Sequence, residues 1–135
     1  MADGVEQIYI ALISVHGLIR ADNLELGRDA DTGGQTLYVL ELAQALSELP
    51  NVSQVDLVTR RVIDSHVDAE YAEPIEKVND KFRIVRIEAG PDEYIYKEHL
   101  WEHLDGFADN LADFFRKQDH VPDLIHSHYA DAGLV

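Results

Sequence analysis

A nearly continuous apolar run, IYIALISV at residues 8–15, is the first strong pattern in the chain. Without polar alternation, such a run predicts a strand covered on both faces, as in a parallel sheet. From residue 37 to 49 the period changes: Val39, Leu42, Leu46 and Leu49 recur at steps of three and four, Leu40 and Ala43 widen the stripe, and Pro50 ends it. This predicts an amphipathic helix. Short, β-branched runs at 55–62, 82–87 and 124–128 predict three further strands. Between the last two, Leu100, Leu104, Phe107, Leu111 and Phe115 share a stripe flanked by Trp101, Ala108 and Ala112, which predicts a second long helix over residues 97–117. The alternation of strand and helix predicts an α/β fold, doubly wound around a mainly parallel sheet with right-handed crossovers; the pattern does not fix the strand order.

Residues 64–80 carry Pro74 and many charges without a period, and read as a solvated excursion. The last residues, LIHSHYADAGLV, read as a strand running into a turn and the start of a helix that does not arrive. An apolar face is then expected to lack its cover. The chain is read as one incomplete domain over 1–135: either part of a longer enzyme or a small variant that recruits a partner. Self-association through the uncovered sheet or helix surface is one such route.

Composition narrows the chemistry. Cysteine is absent, which excludes disulfides and thiolate catalysis and leaves zinc only His and carboxylate ligands. Against 26 Asp and Glu stand 11 Lys and Arg, a net charge of −15 that repels phosphate backbones and anionic lipid, so neither nucleic acid nor a membrane is an expected partner. The apolar run at 8–15 is too short to cross a bilayer and lacks the flanks of a secretion signal, so a soluble protein is expected, and the absence of cysteine fits a cytoplasmic setting. An anionic ligand would have to be met at one focused place, by a few basic side chains and backbone N–H groups.

The loop between the first strand and first helix, residues 16–33, offers that place. Strand-to-helix connections usually take about 2 to 6 residues, and loops at the carboxyl ends of strands are where open α/β sheets bind ligands. The excess length favours a lid or binding role. Gly33 and Gly34 open the helix without side chains, which lets a ligand approach the free N–H groups of the first turn. Asp31 or Thr32 capping those groups is the ordinary alternative. The motif is neither a P-loop nor a GxGxxG fingerprint. Gln35 offers an amide toward the same mouth, or is simply a solvated helix residue. Arg20 and Arg28 flank the glycines among acids, either as surface ion pairs or as arginines oriented for an anion. Arg60 and Arg61 end the second strand at the same edge, and since adjacent strand residues point opposite ways, at most one faces a shared ligand. Lys97, at the start of the second helix, is a phosphate partner or an exposed lysine.

His126 and His128 share a strand face, with Asp131 nearby, and His99 and His103 are spaced i, i+4. Neither pair has the HExxH or cysteine spacing specific to zinc, so no metal is expected, and His128 is read as a strand-end hydrogen-bonding residue. There is no G-x-S-x-G elbow. A binding edge is written more clearly than a catalytic set.

Six blocks in order, LISVHGLIR, LELGRDADTGGQTLYVLELAQAL, VDLVTRRV, FRIVRIEAGP, YKEHLWEHL and DLIHSHYADAG, resemble the start of the sucrose-phosphate synthases. Sucrose synthases share a DTGGQ-type loop, but ELGRDADTGGQ with HSHYADAG is more similar to the phosphate-using enzymes. The resemblance implies a retaining GT-B glycosyltransferase, two Rossmann-like domains across a cleft, moving glucose from UDP-glucose to fructose 6-phosphate with no cofactor and no required metal. It places this chain in the amino-terminal, acceptor-side domain. Carried over by motif, Gly33, Gly34 and Gln35 sit at the acceptor sugar and donor phosphate, and Lys97 helps to hold the acceptor phosphate. His128, Tyr129 and Asp131 line the same cleft, and Arg61 is the arginine of its pair taken as substrate-binding. The later block bearing the histidine that lies against the transferred sugar is absent, as are the basic and E-x7-E elements that grip UDP. No residue here is therefore assigned as catalytic, and the chain alone is expected to be inactive. A non-catalytic binding module for a sugar phosphate or a protein is the alternative, and a sucrose synthase using free fructose is another.

Overall fold

The structure is a computed structural model that describes residues 7–21 and 34–128. Five strands and two α-helices follow in the order β1 (Ile8–Ile13), α1 (Gly34–Ser47), β2 (Val52–Arg60), β3 (Ile75–Lys77), β4 (Phe82–Ile87), α2 (Leu104–Arg116) and β5 (Leu124–Ser127). They form a single sheet ordered β3-β4-β2-β1-β5. β1 pairs in parallel with β2 and β5, β2 pairs in parallel with β4, and β3 runs antiparallel to β4. This is the mainly parallel, Rossmann-like α/β fold that the alternation predicts.

The central strands β1, β2 and β4 are largely buried because both faces are covered. Side chains alternate across a strand, so Ile10 and Leu12 of β1 join Val55 and Leu57 of β2 and Phe82 and Ile84 of β4 beneath Val39 and Ala43 of α1. Ala11, Ile13, Val58, Val85 and Ile87 point the other way and pack under Leu104, Phe107, Leu111 and Phe115 of α2. One helix on each face is what doubly wound means here. Phe107, fully buried, contributes about 1.5–3 kcal/mol through its burial alone.

Three expectations need correction. The second long helix starts at Leu104 rather than 97, because residues 97–103 fold as two single 3-10 turns, Lys97–His99 and Trp101–His103. Leu100 between them is still buried, so the apolar stripe continues where the α-helix does not, while Trp101 is half exposed. The second predicted strand begins earlier and ends earlier, at Val52 and Arg60. The excursion at 64–80 is more than a solvated loop: it contains a 3-10 turn, Ala69–Ala72, and the edge strand β3, and it buries Tyr71 with Leu18 and Val62 in a small separate cluster. Arg20 and Arg86 flank the Tyr71 ring at 5.1 and 6.0 Å. Arg20 also donates to Asp68 at 2.6 Å and Glu70 at 3.1 Å, so this buried arginine ties the start of the long loop to the excursion.

Opposite β3, β5 closes the sheet among the described residues, and all four of its residues are exposed, Leu124 and Ile125 each by 54%.

Candidate functional site

The order of the strands locates the crevice. From β1 the chain winds outward through β2 to β4, then crosses the sheet with α2 and returns as β5 on the other side of β1. Reversal at β1 opens a gap at the carboxyl ends of β1 and β5, the topological switch point at which open α/β sheets bind ligands. The backbone N–H of His128 donates to the carbonyl of Ile13 at 2.9 Å, extending the β1–β5 ladder to the lip of this gap. Gly17, with φ of 87°, turns the chain away just beyond His16 in a conformation that favours glycine.

Polar side chains are buried at this lip where the strands themselves are apolar. Ser14 and His16 leave β1, His128 leaves β5 and Thr36 sits in the first turn of α1, each no more than 7% exposed. The His128 ring meets Tyr38 of α1 edge-on, with centroids 6.1 Å apart, and lies 4.5 Å from the His126 ring. Burial, and then the neighbouring His126, hold the His128 pKa below its ordinary value, which favours the neutral imidazole. Among the described residues, its Nε2 and the Ser14 Oγ are buried without a hydrogen-bond partner. Unpaired buried polar atoms are rare because each costs about 1–3 kcal/mol; two at one crevice mark a place where hydrogen-bonding capacity is held in reserve.

The same lip receives the amino terminus of α1. Its first turn carries no acidic side chain, so no carboxylate there competes for the free N–H groups. A Cβ built on Gly34 would meet nothing within 4 Å, so packing among the described residues does not demand glycine at this position.

A family described as "Sucrose synthase first GT-B domain" matches residues 4–135. The chain belongs to that family. Sucrose-phosphate synthase 1 of Arabidopsis thaliana is 44% identical to this GT-B domain over 154 residues, which take in 94% of the chain and 15% of the plant protein. The Oryza sativa subsp. japonica protein named "Probable sucrose-phosphate synthase 4" is 44% identical over 155 residues, 95% of the chain and 14% of its own length. The chain thus spans 14 to 15% of the length of these curated relatives. A sucrose-phosphate synthase structure from Thermosynechococcus elongatus superposes with a TM-score of 0.71 at 32% identity, covering 94% of this chain and 28% of that one.

Within this GT-B domain, the predicted site residues fall unevenly. Gly34 and His128 lie at the crevice. Gln35 is the second residue of α1 and Lys97 opens the 3-10 turn after β4; for both, only the course of the backbone is described. Gly33, Tyr129 and Asp131, with Arg28 and the capping candidates Asp31 and Thr32, lie outside the described residues. Arg61 is at the same edge, where its N–H bonds the Ile87 carbonyl at 2.9 Å and its guanidinium pairs with Glu88 at 3.2 Å. Its neighbour Arg60 is buried and committed elsewhere, to the carbonyls of Ala89, Pro91 and Glu93. Of the two arginines, Arg61 is the one left facing outward. Among the described residues, no three His, Cys, Asp or Glu side chains converge as a metal site, and the His126–His128 pair has no third ligand.

Ser14, His16 and Thr36 escaped the sequence reading. The signal was available for the first two: polar residues placed directly after a fully apolar strand run, at its carboxyl end.

A cleft of about 830 Å³ lies at the opposite, amino edge of the sheet and is lined by Gln7, Tyr9, Gln54, Gln118, His120 and Asp123 among others. Tyr9, Gln54 and Gln118 of its lining belong to a buried polar network. Asp56, fully buried, accepts from the Tyr9 hydroxyl, from Gln54 at 2.9 Å and from Arg83 at 2.7 and 3.0 Å, and Arg83 reaches Gln118 at 3.0 Å. Burial, with Asp56 beside it, raises the Tyr9 pKa and keeps the phenol protonated. These groups satisfy one another, whereas the atoms at the switch point do not, so volume is the poorer guide to function here.

Proposed function

We propose that this chain forms the acceptor side of a sucrose-phosphate synthase, holding fructose 6-phosphate for transfer of glucose from UDP-glucose. The carrying observation is the pair of buried atoms, Ser14 Oγ and His128 Nε2, that lack a hydrogen-bond partner among the described residues, beside an α1 whose first turn carries no carboxylate. A neutral imidazole offers one donor and one acceptor, the pairing a sugar hydroxyl can complete. The open first turn at Gly34 and Gln35 presents N–H donors and the positive end of the helix dipole, worth roughly half an elementary charge, to a sugar oxygen or phosphate. Lys97 and Arg61 then supply the charge that an otherwise acidic chain concentrates at this edge, with Gly33, Tyr129 and Asp131 completing the site.

Glucose transfer would need the donor domain of the longer relatives. There the departing UDP phosphate carries the developing charge, and donors fixed in advance toward it lower the barrier; this chain contributes the acceptor and its orientation. The test is calorimetric titration of the purified chain with fructose 6-phosphate, fructose and UDP-glucose, beside Gln35→Ala and Lys97→Ala. Binding of the phosphate sugar in preference to fructose, weakened in both variants, supports the reading; a folded chain that binds fructose as well as its phosphate points instead to a sucrose synthase. The exposed β5 favours a second property, association of two copies through this edge.

A further inference from the structure

We propose that Arg60 is a positioning residue, which clamps the loop after β4 against the end of β2 and so sets where Lys97 emerges. The inference rests on the acceptor-site reading above. Its geometry is independent of it.

Arg60 is 4% exposed on the α2 face of the sheet, and its guanidinium takes three alternate carbonyls of a single loop: Nη1 donates to Ala89 at 3.2 Å and Pro91 at 2.6 Å, and Nη2 to Glu93 at 2.5 Å. Among the described residues it forms no ion pair, so backbone dipoles carry most of its compensation. Two bonds from the next turn of chain help: Ile63 N–H donates to Asp92 at 2.7 Å, and Tyr94 N–H to the Asp64 carboxylate at 3.0 Å. Residues 90–93 have little apolar burial of their own, since Gly90, Asp92 and Glu93 are exposed. Such a loop owes its shape to polar clamps rather than to a core. Four residues past the last clamped carbonyl stands Lys97.

A buried arginine could be nothing more than a fold staple. The difference lies in what it staples: all three acceptors belong to the one segment that delivers Lys97, at the edge where Arg61 and the α1 terminus also lie. The planar fork of a guanidinium can serve three carbonyls at once, whereas an ammonium on a shorter reach cannot hold the same set. Arg60→Lys keeps the charge and loses the geometry.

The measurement is titration of wild type and Arg60→Lys with fructose 6-phosphate and with fructose, together with amide exchange of residues 89–97. The expected result is a drop of roughly tenfold in affinity for the phosphate sugar, fructose affinity held within about twofold, and faster exchange across 89–97. Equal losses for both sugars would make Arg60 a plain structural residue and overturn the proposal, as would an unchanged ratio. Wild type that binds neither sugar would sink the acceptor reading instead; exchange then decides the clamp alone, and an unaltered 89–97 segment overturns it. Should Arg60→Lys fold poorly, Asp64→Ala loosens the same loop from its other side and is expected to give the same pattern, smaller.

Discussion

Asp56→Asn is expected to destabilise the domain without touching the proposed acceptor site. The carboxylate is fully buried and accepts four hydrogen bonds, from the Tyr9 hydroxyl, Gln54 Nε2, Arg83 Nε and Arg83 Nη2. An amide of the same shape loses the charge and turns one acceptor into a donor that faces a donor. Removing one partner of a buried ion pair costs about 3–5 kcal/mol, because the other charge is left uncompensated. The Arg83 side chain is 21% exposed and keeps Gln118 and the Phe114 face, so the lower end, about 3 kcal/mol, applies here. For a domain of this size that is a fall of roughly 9–15 °C in Tm, or about 2 M in the urea midpoint with m near 1.5 kcal/mol/M. Far-UV circular dichroism against urea reads it directly. Arg83→Met in the Asp56→Asn background removes the stranded charge, so the double variant is expected to recover at least about 1.5 kcal/mol relative to the sum of the singles. Costs that simply add would refute a coupled buried pair. Altered affinity for fructose 6-phosphate in the folded variant would refute the placement of function at the far edge.

Gly34→Ala separates ligand from packing: with nothing within 4 Å of the new methyl, stability is expected to hold or to rise by up to about 1 kcal/mol from helix propensity, while affinity for the sugar phosphate falls; equal affinity would remove the α1 terminus from the site. Gly90→Ala is expected to cost about 2–3 kcal/mol in urea melts, since φ is +64° and the methyl would come within 2.6 Å of the His103 ring. The lowered His128 pKa makes the unfolded chain the better proton binder between that value and about 6.5, so stability attributable to His128 is full above 6.5 and declines as pH falls through the window. Melts of wild type against His128→Gln across mildly acidic pH test this, and a difference flat with pH refutes it. Sedimentation is expected to show association that strengthens with salt, as the −15 charge is screened, and that Ile125→Lys abolishes; a wild type that stays monomeric at high concentration and salt refutes pairing through β5.

The central strands were legible, because cover on both faces leaves mostly apolar runs: β4 falls at 82–87 as read and β1 lies within its predicted run, while β5 also lies within its run although its residues are exposed. β3 was not legible. Its three residues, Ile-Glu-Lys, are largely exposed and have no apolar rhythm, and they are strand only because β4 offers an edge beside them. The 3-10 turns at 97–103 keep a helical stripe through Leu100 while breaking the α-helical ladder, so periodicity overran the true start of α2. At the site, the glycine-led opening of α1 and the lip position of His128 came from local pattern. The division of labour between Arg60 and Arg61 did not, since it depends on carbonyls some thirty residues away. Ser14 drew no attention because a lone serine looks ordinary until its burial is known.

The crossing of the chain from β4 back to the far side of β1 also sets an order of assembly. Tyr9 and Asp123, hydrogen-bonded neighbours across the β1–β5 seam, are 114 residues apart, whereas β1, β2 and β4 and the helix that covers one side of them complete their pairing by Ile87. During synthesis from the amino end, a three-stranded core can therefore settle first, with the ligand gap still lacking its second wall. β5, emerging after that core, creates the gap. On the proposed acceptor-site reading, sugar-phosphate affinity is gained at the docking of β5 and not at collapse of the core, and a ribosome-held chain that ends before His128 is expected to be folded in its centre and not to bind fructose 6-phosphate.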